Sequence, residues 1–301
     1  MSLTSSSTVI QVQSSLVFDS DGKIDSEILH HMLEAGLEAL GESNDAERYL
    51  QSTFGSAKTM GLKVNTLGGP GASTHVELAN VLSNLLNDAG IPRKKHLIWD
   101  RYDDELSEIG YTISSKGDGP YCFGTDHTGI GYESELVSKG TVGGLLSKIL
   151  VEYCDVIINM PVLKDHGIAG ITGALKNHYG SIHNPNKYHS NNCNPYIADL
   201  NSLEQIKSKQ RLIIMDALNV QYQGGPAYLR KWSAKCGVIL LSSDPVAIDS
   251  TGWRIIEGLR KSAGLEPIKG SKREPIYIKT AADYGLGNND PAKIRVKEIK
   301  I

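Results

Sequence analysis

Apolar residues along this chain follow two different rhythms. In SEILHHMLEAGLEALG, Ile28, Leu29, Met32, Leu33, Leu37 and Leu40 recur every three or four positions, which predicts an amphipathic helix over 26–41 capped by Asp25 or Ser26. Elsewhere the apolar residues form short, nearly continuous runs: 62–66, HLIWD (96–100), 156–163, RLIIMDALNV (211–220) and CGVILLSS (236–243). Runs of that kind, bounded by Gly, Pro or Asp, read as strands buried on both faces of a parallel sheet. Further helices are expected at 45–54, 74–86 (capped by Ser73 or Thr74), 105–109, 142–151, 196–207, 246–259 and 275–283. Strands are expected at 9–17 and 293–301, and an irregular excursion or small hairpin at 114–138. The alternation predicts an α/β fold, a mainly parallel sheet flanked by helices. Residues 1–8 read as a disordered tail, and 9–301 as one α/β domain with room for two lobes.

Composition narrows the classes. The chain has 301 residues, 40% apolar and 22% charged, with a net charge of −3. No Lys/Arg stripe speaks for nucleic acid, and no apolar run of membrane-spanning length is present. Cys122, Cys154, Cys193 and Cys236 are scattered without a C-x-x-C pair, so neither an iron–sulfur cluster nor a zinc ribbon is expected. The stretch MSLTSSSTVIQVQSS lacks a charged region followed by an apolar core, so it does not read as a secretory leader. The compartment stays open between cytoplasmic and extracytoplasmic, and the oligomeric state stays open too.

Candidate chemistry concentrates between Cys154 and His189. Four of the nine histidines (His166, His178, His183 and His189) fall in this eighth or so of the chain. A buried strand there delivers Lys164, Asp165 and His166 to its carboxyl end, where ligands bind in open α/β sheets. A glycine-rich segment with Gly170, Gly173, Lys176, Asn177 and Gly180 follows. Lys164, Asn177 and the glycines, with Lys63 and Asn65 from one face of the 62–66 strand, are candidates to bind a small anionic substrate or cofactor. His166 is the candidate proton-transfer residue, and Lys176 a covalent or electrostatic anchor. The LGGPG loop (67–71) before a helix suits a phosphate or carboxylate group equally with a sharp turn. His178, His183 and His189, with Asp216 (or Asp165) adding a carboxylate, form a candidate set for a transition metal such as nickel, zinc or iron. Three readings follow: an enzyme acting on a small anionic molecule, with metal-assisted proton or hydride transfer as one route; a non-catalytic metal-binding protein; and an anion-binding module.

The motifs K-V-N (63–65), N-M-P-V-L-K-D-H (159–166), G-I-T-G-A-L-K-N-H-Y-G (170–180), I-M-D-A (214–217), G-G-P (224–226), S-S-D-P-V-A-I-D (242–249) and Y-G-L-G (284–287) resemble those of the domain-of-unknown-function 362 family. The resemblance runs from about Val9 to Gly287 and implies the α/β fold and a site at 164–189, without a reaction. Many members carry an added ferredoxin module, whose cysteines this chain lacks. H-G-I-A-G-I-T-G-A-L-K (166–176) is also similar to a segment of nickel-pincer lactate racemases, with Thr172 and Ala174 departing from that pattern. That resemblance implies His166 as acid/base, Lys176 as the covalent anchor of a nickel-holding pyridinium dithio-dicarboxylate nucleotide, and His183 or His189 as metal ligand.

Overall fold

The computed structural model describes residues 6–301. The first part of the chain gives β1 (Ser7–Gln13), α1 (Ser26–Leu40), α2 (Ala46–Phe54), β2 (Met60–Lys63), α3 (Val76–Asp88), β3 (His96–Trp99), α4 (Asp103–Ile109) and β4 (Tyr121–Cys122). A hairpin of β5 (Val137–Lys139) and β6 (Val142–Gly144) leads to β7 (Val156–Asn159), β8 (Val162–His166), β9 (Gly170–Thr172) and the single-turn helix α5 (Ala174–Asn177). Then come α6 (Tyr196–Asn201), α7 (Glu204–Lys207), β10 (Gln210–Gln221), β11 (Ser233–Ser242), α8 (Pro245–Ser262), α9 (Ile276–Asp283) and β12 (Ile294–Lys300).

One sheet runs in the order β12-β1-β11-β10-β7-β2-β3-β4, with β8 beside β10 and β9 beside β8. Pairing is mainly parallel, the exceptions being β1–β11, β10–β11 and β8–β9. Successive residues of a strand point to opposite faces. Ile157, Ile213, Met215 and Leu240 therefore join one core, which includes α8, while Ile158, Leu212, Ile214, Ile239 and Leu241 join the other, under α1–α3. Both faces are covered, which is why these strands read as unbroken apolar runs rather than alternating ones. Asp25, Asp45 and Asp244 cap α1, α2 and α8 through their carboxylates, and Pro245 takes the first turn of α8. Among the described residues no helix is long and apolar enough to cross a membrane.

Four sequence expectations are corrected. Of the expected tail, residues 1–5 lie outside the described residues, while Ser7 and Thr8 belong to β1 and pair with β12. The expected helix 142–151 starts as strand β6, since Gly143 and Gly144 disfavour a helix, and only a turn at Ile149–Tyr153 is helical. The 156–163 run is two strands, because Pro161 has no N–H for the ladder. The 196–207 helix is interrupted at Leu203, whose backbone is extended.

Candidate active site

β2, β3 and β7 run parallel and end at one edge of the sheet. β7 stays with β2 to its last residue, and the Met160 N–H still donates to the Lys63 carbonyl (2.8 Å). Beyond Pro161 the chain leaves β2: β8 pairs with β10 at Asp216 and Gln221, then turns back antiparallel through β9. That divergence opens a cleft of about 600 Å³ lined by Asn65, Lys164, His166, Thr172, Lys176 and His189, with Asp100, Arg101 and Glu105 at the β3 end. It lies outside strand carboxyl ends, as expected. Gly170 makes the return with φ +80, and a Cβ there would come 2.5 Å from the Arg273 carbonyl oxygen.

Lys164 is buried in the LGGPG loop. Its ammonium donates to Asn65 Oδ1 (3.0 Å), to the Ala72 carbonyl (2.6 Å) and to the Leu67 carbonyl. Three acceptors complement three N–H bonds, so the loop presents oxygens to a lysine and not bare N–H groups to an anion. Lys164 therefore has no donor left for a ligand and acts on the cleft through its charge. Burial, then the Lys176 charge, pushes its amine down to about 7, while the three oxygens favour the ammonium. Thr74, expected as a helix cap, instead ties the loop down: its hydroxyl donates to the Met160 carbonyl (2.7 Å) and accepts from the Asn65 N–H (2.9 Å).

Other candidates form the floor. Asn65 Nδ2 donates to Asn177 Oδ1, Asn177 Nδ2 to Asn159 Oδ1 and the Lys63 carbonyl, and Asn159 Nδ2 to Gln210 Oε1 and the Ala174 carbonyl. His178 completes this ladder, with Nε2 3.0 Å from Gln210 Oε1. The amides of Asn65 and Asn177 are thus spent on holding α5 against β2 and β7. Lys63 lies below the cleft, fully buried, with Nζ 2.7 Å from Asp100 Oδ1. Burial lowers its pKa and Asp100 offsets this. Gly180 covers that pair, since a Cβ there would come 2.5 Å from Asp100 Oδ1 and 2.7 Å from Lys63 Nζ.

The groups with unspent chemistry are His166, Thr172, Lys176 and His189. Nδ1 of His166 accepts from the Ile168 and Ala169 N–H groups (3.2 and 3.1 Å). Its proton therefore sits on Nε2, which has no protein partner among the described residues. Burial first, then the charges of Lys176, His189 and Lys164, pushes His166 down to about 2, so the ring is neutral. It stacks on His189, centroids 5.7 Å apart. Nδ1 of His189 lies 3.1 Å from the Pro185 carbonyl, which only an N–H can satisfy, so the Nε2 lone pair faces Lys176 Nζ at 3.3 Å. Lys176 Nζ also sits over the Tyr179 ring, 4.4 Å from its centroid. Burial pushes this amine down to about 8. Neither Lys164 nor Lys176 has a carboxylate partner among the described residues. Asp249 of α8 places Lys176: its oxygens accept from the Ala174 and Leu175 N–H groups (2.6 and 3.1 Å) at the start of α5. Gly173 makes room for it, since a Cβ would lie 2.3 Å from Asp249 Oδ1.

The four metal candidates are not gathered. Asp216 accepts from the His75 N–H and pairs with His75 Nδ1 (2.7 Å), His178 is in the ladder, and His183 is exposed against Tyr132. Only His189 reaches the cleft. Among the described residues no group of three or more His, Cys, Asp or Glu is placed to hold a metal ion. Of the two histidines that the racemase resemblance offers to a metal, His189 stands beside Lys176 and His183 does not. Thr172, Arg101, Glu105 and Asp249 belong to the site or its support and were not picked out as such from sequence. Thr172 faces Lys164 across the β8–β9 register, a pairing visible only once the hairpin is known.

A family model described as "Domain of unknown function (DUF362)" matches residues 61–254. The chain belongs to this family. The DUF362 match runs from β2 into α8 and takes in His166, Thr172, Lys176, His189 and Asp249. No curated protein matches, so the likeness to nickel-pincer lactate racemases gains no support. A crystal structure of a Thermotoga maritima protein is similar at 13% identity and a TM-score of 0.46, over 80% of this chain. This chain spans 60% of that protein's length.

Proposed function

We propose that this DUF362 protein is an enzyme that binds a small anionic substrate in the cleft and moves a proton on it. One observation carries the reading: two lysine amines, Lys164 and Lys176, are buried in one cleft and neither is ion-paired with a carboxylate among the described residues, Asp100 being paired with Lys63. An uncompensated buried cation is costly, by several kcal/mol. A bound carboxylate or phosphate supplies the missing charge. His166 then serves as a donor rather than a base: its Nδ1 is occupied by two N–H groups, and its Nε2–H is available to a ligand oxygen. The base is the Lys176–His189 pair, where an amine near neutrality meets an imidazole lone pair. No step needs a metal held by His178, His183 and Asp216. A metal brought with a bound cofactor is compatible with His189 alone among the four.

Calorimetry at pH 7 with lactate, pyruvate, phosphate and the neutral analogue lactamide tests this. At least one anion binds one per chain and lactamide binds far more weakly. Lys176→Met weakens anion binding about 30-fold, roughly 2 kcal/mol. The same variant unfolds at a higher temperature, because an apolar side chain replaces an unpaired buried charge at a gain of about 1–3 kcal/mol. No anion binding, or a Lys176→Met chain that binds anions as the parent does, sinks the proposal. Binding without turnover of any 2-hydroxy or 2-oxo acid leaves an anion-binding module.

A further inference from the structure

We infer that Lys176 is a nucleophile that forms an imine with the carbonyl of a 2-oxo acid, with His189 carrying the protons. The inference rests on the anion-binding reading of the cleft and adds the substrate class and a covalent step. Three observations lead to it. Lys176 Nζ contacts a lone pair and a ring face, but no carboxylate among the described residues holds it as an ammonium. The lone pair and the ring face favour the ammonium, but without a carboxylate they do not offset burial, which pushes the amine down to about 8. His189 Nε2 stands 3.3 Å away with its lone pair aimed at the amine, while Nδ1–H is fixed on the Pro185 carbonyl. A proton taken from Lys176 is thus accepted by a ring already oriented for it.

The carboxylate next to the reacting carbonyl is matched by the rest of the cleft. The Lys164 ammonium provides charge, and His166 Nε2–H and the Thr172 hydroxyl provide donors. The rim matches the other end of the substrate. Leu67, Tyr102 and Ile168 line the cleft and are 55%, 37% and 45% exposed, large apolar groups left open to water. An apolar side chain on the 2-oxo acid covers them at roughly 25 cal/mol per Å² buried. The chemistry balances without a redox partner. Lys176 gives one ammonium proton to His189, and the amine lone pair attacks the carbonyl carbon. His189 returns that proton to the oxygen, then carries a second from the attacking nitrogen to the same oxygen, which leaves as water as the C=N bond forms. The net change is ammonium plus carbonyl to protonated imine plus water.

The test is reductive trapping. The full chain is incubated with phenylpyruvate and cyanoborohydride, and intact mass and peptide mapping follow. In parallel, phenyllactate, the same shape without the carbonyl, is titrated by calorimetry. The expected result is one adduct per chain on Lys176, absent from a folded Lys176→Arg chain and formed about 10²-fold more slowly in His189→Gln. Pyruvate is trapped more slowly than phenylpyruvate. No adduct while phenyllactate binds overturns the imine and leaves the anion cleft standing. Adducts spread over surface lysines equally in the parent and Lys176→Arg also overturn it. No trapping and no phenyllactate binding overturn both.

Discussion

His166 and His178 are twelve residues apart, both buried and both neutral, for different reasons. His166 has its Nδ1 filled by two backbone N–H groups and its Nε2–H turned to a cleft. His178 has both nitrogens engaged, with Ser181 and Gln210, and none for a ligand. Burial pushes His178 down to about 4. Its folded pKa is below the ordinary value of about 6.5, so its stabilisation is full above pH 6.5 and is lost as pH falls toward 4, at roughly 1.4 kcal/mol per pH unit. A glutamine does not titrate. His178→Gln disrupts the bonds to Ser181 and Gln210 and is less stable than the parent at pH 7, and because only the parent titrates, urea unfolding at pH 5 shows that gap narrowed by about 2 kcal/mol. A gap that stays constant means that the imidazole is not held neutral. At this scale the sequence was only partly readable. The clustering of histidines marked a segment that reaches the cleft, but hydrogen-bond partners distinguish a ladder residue from a cleft residue. Those partners, such as Gln210, come from a strand more than thirty residues on.

At the scale of elements, the site depends on a turn of helix too short to hold itself. α5 has four residues, and its leading N–H groups have no partners within the helix. Asp249, a turn into α8, supplies both. Asp249→Ala leaves two buried N–H groups unpaired and destabilises the fold by about 2 kcal/mol. It also lets Lys176 drift, so calorimetry shows weaker anion binding. Asp249→Asn keeps one acceptor and recovers part of both. If Asp249→Ala lowers stability while anion affinity is unchanged, Asp249 supports the fold without placing Lys176. The sheet strands were legible because burial on both faces writes them as apolar runs. Several boundaries were not, two of them for a reason that lies in the local residues. Pro161 interrupts a run whose apolar pattern continues, and the 142–151 stretch has helical spacing but two adjacent glycines. The LGGPG loop read equally as an anion cradle and as a sharp turn, because Gly-rich turns expose backbone and composition does not tell which backbone atom points inward. Here it is the carbonyl, because Lys164 fills the loop.

At the scale of the molecule, one topological event makes the cleft: after Pro161 the chain parts from β2, which β7 had followed, and β8 continues beside β10. That opening at the strand ends receives Lys164 from the strand, Lys176 from the helix after it and His189 from the loop beyond. The sequence placed all three in one segment, and the fold brings that segment to the cleft. The scattered metal set shows the limit of that reasoning: nearness along the chain brought His183 and His178 into it, and the fold sends them to the surface and the core. The central claim is that the two lysines without a carboxylate partner form one anion site. The most direct measurement is a crystal structure grown with pyruvate or lactate. The account predicts a carboxylate in the cleft, within hydrogen-bond distance of His166 Nε2 and beside Lys176 Nζ. A cleft that holds only water at saturating ligand, or a carboxylate bound elsewhere on the chain, contradicts it.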